Sequence, residues 1–245
     1  MSCKHFHRCA PVLIALCAGL LPAQAVEEDQ DWYRSVWDVR VGWSTTPGLT
    51  ISESISQPSS DLAVLDWEGA NAKGNRFALV VINATARERG GWFWGAGLST
   101  TRWNATPTNG YSAAWRTYKA GVRQITDWFH AVELQAGYQY GIRPHDRAQV
   151  WLEIAPVLAV GLVEAQTESV AVTGATRLDG NRAPGYEAGL RTGAYLGESG
   201  WILGATVAYT TFHSTVVVDT GGLGESELVL RTAGTRFGVE AGMRF

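Results

Sequence analysis

Thr235-Arg236-Phe237-Gly238-Val239-Glu240-Ala241-Gly242-Met243-Arg244-Phe245 closes the chain in unbroken alternation. Successive side chains on a strand point to opposite faces, so Phe237, Val239, Ala241, Met243 and Phe245 share one face. Arg236, Gly238, Glu240, Gly242 and Arg244 share the other. The first face suits lipid, and the second suits a wet, crowded interior.

The other end of the chain points to export. Lys4, His5, His7 and Arg8 precede an apolar run from Ala10 to Leu21, followed by Ala23-Gln24-Ala25. These are a charged n-region, a short h-region and an A-x-A cleavage site, so residues 1–25 read as a removed signal peptide and 26–245 as one domain. The run is too short to span a bilayer as a helix, which takes about 20 residues. Cys17 follows Leu16 instead of a small residue, which argues against a lipid anchor. Cys3, Cys9 and Cys17 all lie within the signal, so the mature chain offers no disulfide, Cys-ligated metal or thiol nucleophile. A net charge of -3 and a pI near 6.0 give no basic footprint for nucleic acid.

Hydrophobic residues make up 46% of the chain, yet the mean hydropathy is only -0.05. Beyond the signal the longest apolar run, Ile154 to Val163, is about half of what a spanning helix needs. A helical membrane protein is excluded, which leaves a soluble all-β protein or a β-barrel. The 28 Gly and 11 Trp favour the barrel, because glycine lets strands bend in a narrow lumen and tryptophan prefers the membrane interface. In form the last strand resembles the closing strand of bacterial outer-membrane β-barrels, whose members commonly end in Phe. The resemblance implies a place in the Gram-negative outer membrane, contact with its lipids, and reading of the Phe245 strand by the barrel-assembly machinery.

The remaining segments read as strands separated by turn chemistry. Trp37, Val39, Val41 and Trp43 alternate with Asp38, Arg40, Gly42 and Ser44. Residues 46–61 are rich in Ser, Thr, Pro and Gly and read as a long loop. A weak strand, Leu62 to Gly69, leads to a turn at 71–75. Strands Phe77 to Ala86 and Trp92 to Trp103 join across Arg87 to Gly91. A hairpin turning near Thr126-Asp127 is expected between residues 117–123 and 128–141. Arg143 to Asp146 turn the chain into Ala148 to Val163, where Pro156 predicts a bulge or break. Residues 164–184 read as loop, Tyr186 to Leu196 as strand, and Glu198-Ser199-Gly200 as a turn into Trp201 to Val217. Residues 219–225 form a Gly-rich loop before the last strand.

The expected fold is an all-β, antiparallel, up-and-down transmembrane barrel of about ten strands, with eight as the alternative if Leu62 to Gly69 and one other strand belong to loops. The turns at 71–75, 143–146 and 198–200 are expected on the periplasmic side with Phe245, and the loops at 46–61 and 164–184 outside. Trp103, Trp115, Tyr138, Tyr140, Trp151, Trp201 and Phe245 would mark the inner rim and Trp43, Trp92, Trp94 and Trp128 the outer. By parity Trp103, Trp115 and Trp151 lean inward.

Parity also turns Asp38, Arg40, Lys119, Arg123, Glu133, Glu153, Glu187, Arg191, Arg236, Glu240 and Arg244 into the lumen, with Gln135 and Gln139. An unpaired charge away from bulk water is costly, so these groups are expected to pair as a network filling a narrow barrel. An ion or solute path is the competing reading.

Among groups able to do chemistry, His130 has lipid-facing parity and His145 sits in a turn. His213 and Ser214, near Glu225 and Glu227, are the one candidate set for a nucleophile, a base and an orienting acid. They resemble the His and Ser of small barrel enzymes that deacylate lipid A. In that family the two are separated by one residue and followed by Asn, whereas here they are adjacent and followed by Thr215. Asn83-Ala84-Thr85 and Asn104-Ala105-Thr106 match glycosylation acceptors by chance in strand positions, and Gly221 to Gly224 lacks the lysine of a phosphate loop. No cofactor and no metal-ligand spacing is read from the sequence. The expected role is structural or one of surface contact through loops 46–61 and 164–184, with a monomer favoured. A narrow channel and a lipid-modifying enzyme are the alternatives.

Overall fold

The computed structural model describes residues 34–56, 63–68, 73–86, 90–105, 121–144, 148–171, 174–179, 181–198, 200–219 and 225–245. The signal segment, Trp115, Lys119 and the expected turn at His145 lie outside these residues. The strands are β1 (Arg34–Thr46), β2 (Thr50–Ser56), β3 (Ala63–Glu68), β4 (Lys73–Ala86), β5 (Gly91–Ala105), β6 (Gly121–Pro144), β7 (Ala148–Ala171), β8 (Gly174–Asp179), β9 (Ala183–Glu198), β10 (Trp201–Asp219) and β11 (Glu225–Arg244).

Eight of them close a cylinder in the order β1-β4-β5-β6-β7-β9-β10-β11, with β11 returning to β1. Every pairing is antiparallel, and closure runs from Asp38↔Arg244 to Ser44↔Gly238. The other three strands are continuations of these staves. β1 leaves β11 at Ser44↔Gly238, and β2 resumes on β11 at Thr50↔Arg231, one residue out of register. β3 lies on β2 as β4 lies on β1. β8 extends β9 along β7, from Val163↔Ala183 to Gln166↔Asp179, again with a one-residue shift. From Ser44↔Gly238 to Thr50↔Arg231 the chain advances six residues against seven on β11, and from Val163↔Ala183 to Gln166↔Asp179 β7 advances three against four, so β11 and the β8–β9 stave each carry one residue that the ladder must bulge around.

The barrel is therefore the eight-stranded alternative. Leu62 to Gly69 leave the wall count because β3 is the upper part of the β4 stave. The second strand is lost at Thr126-Asp127, where β6 runs straight through and pairs with β5 and β7 on both sides. Both are wall positions and not a turn, with Asp127 facing the lumen and Thr126 facing out. Much of 46–61 and 164–184 is strand as well, because β2, β7 and β8 project past the apolar belt, where period-2 hydrophobicity disappears. Pro156 does not break β7. It stays in register with Leu190 of β9, and its missing N–H interrupts only the ladder to β6, between Gln135↔Val157 and Tyr138↔Ile154.

Turns near 87–90, 145–147 and 199–200 share the end that carries Phe245, and 47–72, 106–120, 172–182 and 220–224 share the other. The turn at 71–75 is thus opposite to its expected side, and 87–91 likewise. The long connection at 105–114 falls among the other long ones. At the Phe245 end, Trp37 and Phe245 exchange backbone hydrogen bonds of 3.2 and 2.8 Å, and Gly200, at φ +85°, makes the tight turn whose carbonyl accepts from Arg244 N at 2.7 Å.

The outside of the cylinder is an apolar belt. Val132, Leu134, Ile154, Leu158, Val160, Leu190, Leu203 and Val239 are all 47–61% exposed, which in a small protein marks a surface meant for something other than water. Aromatics border it. Trp92, Trp94, Tyr138, Tyr140, Trp201 and Phe245 stand toward the Phe245 rim, with Trp92 edge-on to Tyr138 and Trp94 edge-on to Trp37. Trp43, Phe77, Tyr186, Tyr209 and Phe237 border the opposite side. Trp92 and Trp94 change rims because the 87–90 turn did.

Candidate functional site

The lumen has two storeys. Toward Phe245 it is charged, because alternation turns one acidic or basic side chain after another inward from β1, β4, β6, β7, β9 and β11. One chain of contacts runs from Arg244 to Asp38 (2.8 Å), Asp38 to Arg40 (2.6 Å), Arg40 to Glu153 (2.7 Å), Glu153 to Arg191 (3.1 Å) and Arg191 to Glu240 (2.5 Å). A second runs from Arg236 to Glu187 (2.8 Å), to Arg76 (3.3 Å) and on to Glu133. Five arginines meet five carboxylates, so the storey is neutral in sum.

Aromatics seal the lower end of this network. Trp151 stacks on Tyr195 at 5.6 Å, Arg244 lies over Trp151 and Arg40 over Tyr195, each at 4.3 Å. Trp151 Nε1 donates to Glu153 at 2.9 Å and the Tyr195 hydroxyl to Glu240 at 2.8 Å. A Cβ on Gly204 would strike the Tyr195 ring, so this glycine is what lets the ring lie flat against the wall. The space left among Arg40, Arg76, Glu133, Arg191, Arg236 and Glu240 is about 30 Å³, room for a single water.

Of the residues expected in the lumen, Arg40, Glu133, Glu153, Glu187, Arg191, Arg236, Glu240 and Arg244 are together in this storey. Lys119 and the side chain of Arg123 lie outside the described residues. The sequence reading left out Arg76, because it started that strand at Phe77. Extending the inward parity of Ala78 and Val80 two residues back would have found it.

Above the charges the lumen turns apolar. Trp103, Phe129, Ala131, Ala159, Val163, Ala165, Ala183, Phe212, Val216, Leu228 and Leu230 are buried together, and Leu49 and Ile51 enter from the kink between β1 and β2. Phe212 lies 4.9 Å from Trp103 and 5.0 Å from Phe129. These side chains form a plug at the mouth opposite Phe245. Trp103 and Trp151 both face inward, as parity required, but Trp103 is in the plug and not at the Phe245 rim.

One carboxylate sits within the plug. Asp127 is fully buried, and neither of its oxygens has a hydrogen-bond partner among the described residues. It stands at the upper edge of the belt, since the outward residues beside it are Arg102, Asn104, Thr126, Trp128 and Glu164, where lower rows carry Leu98, Val132 and Leu162. Burial alone pushes its carboxyl up to about 7.

No protein-family model and no curated protein matches the chain. Among solved structures it is similar to the outer membrane protein OprG from Pseudomonas aeruginosa, at 9% identity over 87% of this chain and 97% of that one, with a TM-score of 0.44. It is similar to Ail, the attachment invasion locus protein of Yersinia pestis, at 12% identity over 86% and 99%, TM-score 0.33. It is also similar to the outer membrane protease OmpT from Escherichia coli, at 8% identity over 89% and 99%, TM-score 0.33. The chain's eight-stave closure stands on its own strand pairing.

The remaining candidates are not assembled into a catalytic set among the described residues. Ser214 points inward and its hydroxyl donates to the Pro184 carbonyl at 3.0 Å. His213 faces outward beside the Tyr186 ring at 5.5 Å. The two are neighbours in sequence and lie on opposite sides of the wall. The Glu225 side chain lies outside the described residues. No cluster of three or more His, Cys, Asp or Glu able to hold a metal occurs among the described residues.

Proposed function

We propose that this barrel sits in the Gram-negative outer membrane, exported by residues 1–25, and acts at the cell surface through the strand extensions β2–β3 and β7–β8, with its lumen shut. The observation that carries the reading is the filling of the lumen: interlocked ion pairs with room for one water below, and a packed apolar plug above. A wall whose described lumen is filled in this way serves as a scaffold, and recognition on a rigid scaffold is carried by what projects from its rim. Outer-membrane lipids contact the belt, the barrel-assembly machinery reads the strand ending in Phe245, and the barrel works as a monomer.

Planar-bilayer recording tests the closed lumen directly. Purified protein is expected to give no stepwise current, and steps of defined size would replace this reading with the narrow channel. Membrane fractionation with heat-modifiable gel migration tests the location, and recovery in the soluble periplasm would reject it. The lipid-modifying alternative has less support, given the orientation of His213 and Ser214. Ser214→Ala is expected to leave lipid A acylation, read by mass spectrometry, identical to that of cells with the native protein and cells without it.

A further inference from the structure

Asp127 is out of place by the logic of both storeys. It is six residues up β6 from Glu133, roughly 20 Å along the strand, and so beyond the ion pairs. Its cross-strand positions are Trp103 on β5 and Ala165 on β7, and the next inward residue on its own strand is Phe129. Trp103 Nε1 is also buried without a partner.

Among the described residues no charge faces it from any element of the plug. Arg102 and Glu164, adjacent in sequence to its two cross-strand positions, point out of the wall. The inward charges of the surrounding strands, Arg76 on β4, Glu133 on β6, Glu153 on β7, Glu187 and Arg191 on β9 and Arg236 and Glu240 on β11, are engaged with one another below. What β2, β10 and β11 bring to the plug, such as Ile51, Phe212 and Leu230, is apolar. For a carboxylate buried in such a place, with no partner among the described residues, the neutral form is the one the plug accommodates.

We propose that the plug is a proton-operated latch, shut while Asp127 holds a proton and loosened when Asp127 gives that proton up to water. The released proton passes to solvent, and the carboxylate left behind draws water into the outer storey. The charged storey beneath stays closed in both states, so the latch does not open a pore. Its moving part is the root of the β2–β3 extension, because Leu49 and Ile51 are both plug residues and the first turn of chain into that extension. The latch therefore sets how firmly the surface element is held.

The direction follows from the two protonation affinities. In the shut plug the carboxyl is raised to about 7, and once hydrated it returns toward the ordinary 3.8. The shut state binds the proton more tightly, so its advantage is complete below the lower value. That advantage falls as pH rises between the two values and is gone above the upper one.

The native cysteines all lie within residues 1–25, so Leu49→Cys places a lone thiol in the plug of the processed barrel. Its modification by a water-soluble methanethiosulfonate is compared in the native background and with Asp127→Asn, at pH 5 and pH 8. Taking the ratio of the two backgrounds removes the thiol's own ionisation. The ratio of native to Asp127→Asn rates is expected to rise about a hundredfold from pH 5 to pH 8, and a ratio that does not change with pH overturns the latch. Ala131→Cys reads the same plug from β6 if Leu49→Cys does not assemble. Independently, an infrared difference between native protein and Asp127→Asn is expected to show a protonated carboxyl persisting at pH 6. A carboxyl already ionised at pH 5 also overturns the proposal. Neither readout depends on bilayer current or on surface contacts, so failure of the latch and failure of the closed surface scaffold are distinguishable.

Discussion

Along β6 the inward side chains pass from Asp127, Phe129 and Ala131 to Glu133, Gln135 and Gln139, and within that one strand the means of filling a cylinder changes. The lower storey is held by directional contacts. Arg40 reaches Asp38 and Glu153 together, and each of those is shared with another arginine. The upper storey is held by shape, with Trp103, Phe129 and Phe212 meeting at tilted angles and Leu49 closing the mouth. Buried charges tolerate the loss of a partner badly, whereas apolar packing loses contacts gradually. The comparison suggests which storey fixes the geometry of the wall and which can move.

Removing Arg40 should break the lower storey most severely. Arg40→Met leaves Asp38 and Glu153 short of a cation, and a loss of about 3–5 kcal/mol is expected in denaturant unfolding of the detergent-solubilised barrel. The same substitution combined with Glu153→Leu is expected to cost less than Arg40→Met alone, because it takes away the stranded carboxylate too. A double variant less stable than the single would mean that the pair adds net stability and is not mainly a constraint on geometry. In the plug, Leu49→Ala is expected to cost about 2 kcal/mol, the low end for a buried leucine, since a kinked segment at the mouth can settle into the space. The smallest effect belongs to a single hydrogen bond in the wall around the plug. Ser214→Ala removes one neutral hydrogen bond to Pro184 and is expected to cost about 1 kcal/mol by the same unfolding measurement.

The belt and most of the lumen charges were legible in the sequence because both follow from period 2. Phe237, Val239 and Met243 declare one face, and Arg236, Glu240 and Arg244 the other. The errors have a common cause. In a soluble protein a polar pair such as Thr126-Asp127 between apolar runs marks a turn, but a barrel interior accepts polar side chains, so polarity no longer separates turn from wall. Once that hairpin was inserted, the strands before it were assigned to the wrong direction, and Trp92 and Trp94 went to the wrong rim. The extensions beyond the belt were read as loops for the complementary reason. With water on their outer face, β2 and β8 carry no apolar alternation to read. The plug could not be foreseen, because Trp103, Phe129 and Phe212 come from three strands whose heights depend on the register.

Asp38 and Arg244 meet at 2.8 Å across 206 residues of chain, beside the paired backbones of Trp37 and Phe245. The seam of the cylinder thus joins the first stave of the wall to the eighth, β1 to β11. A chain emerging N-terminus first leaves β1 without its second neighbour until β11 has been made. An exposed edge of that kind invites pairing with other chains. Closure is an event in time as well as a geometry, and it waits for β11.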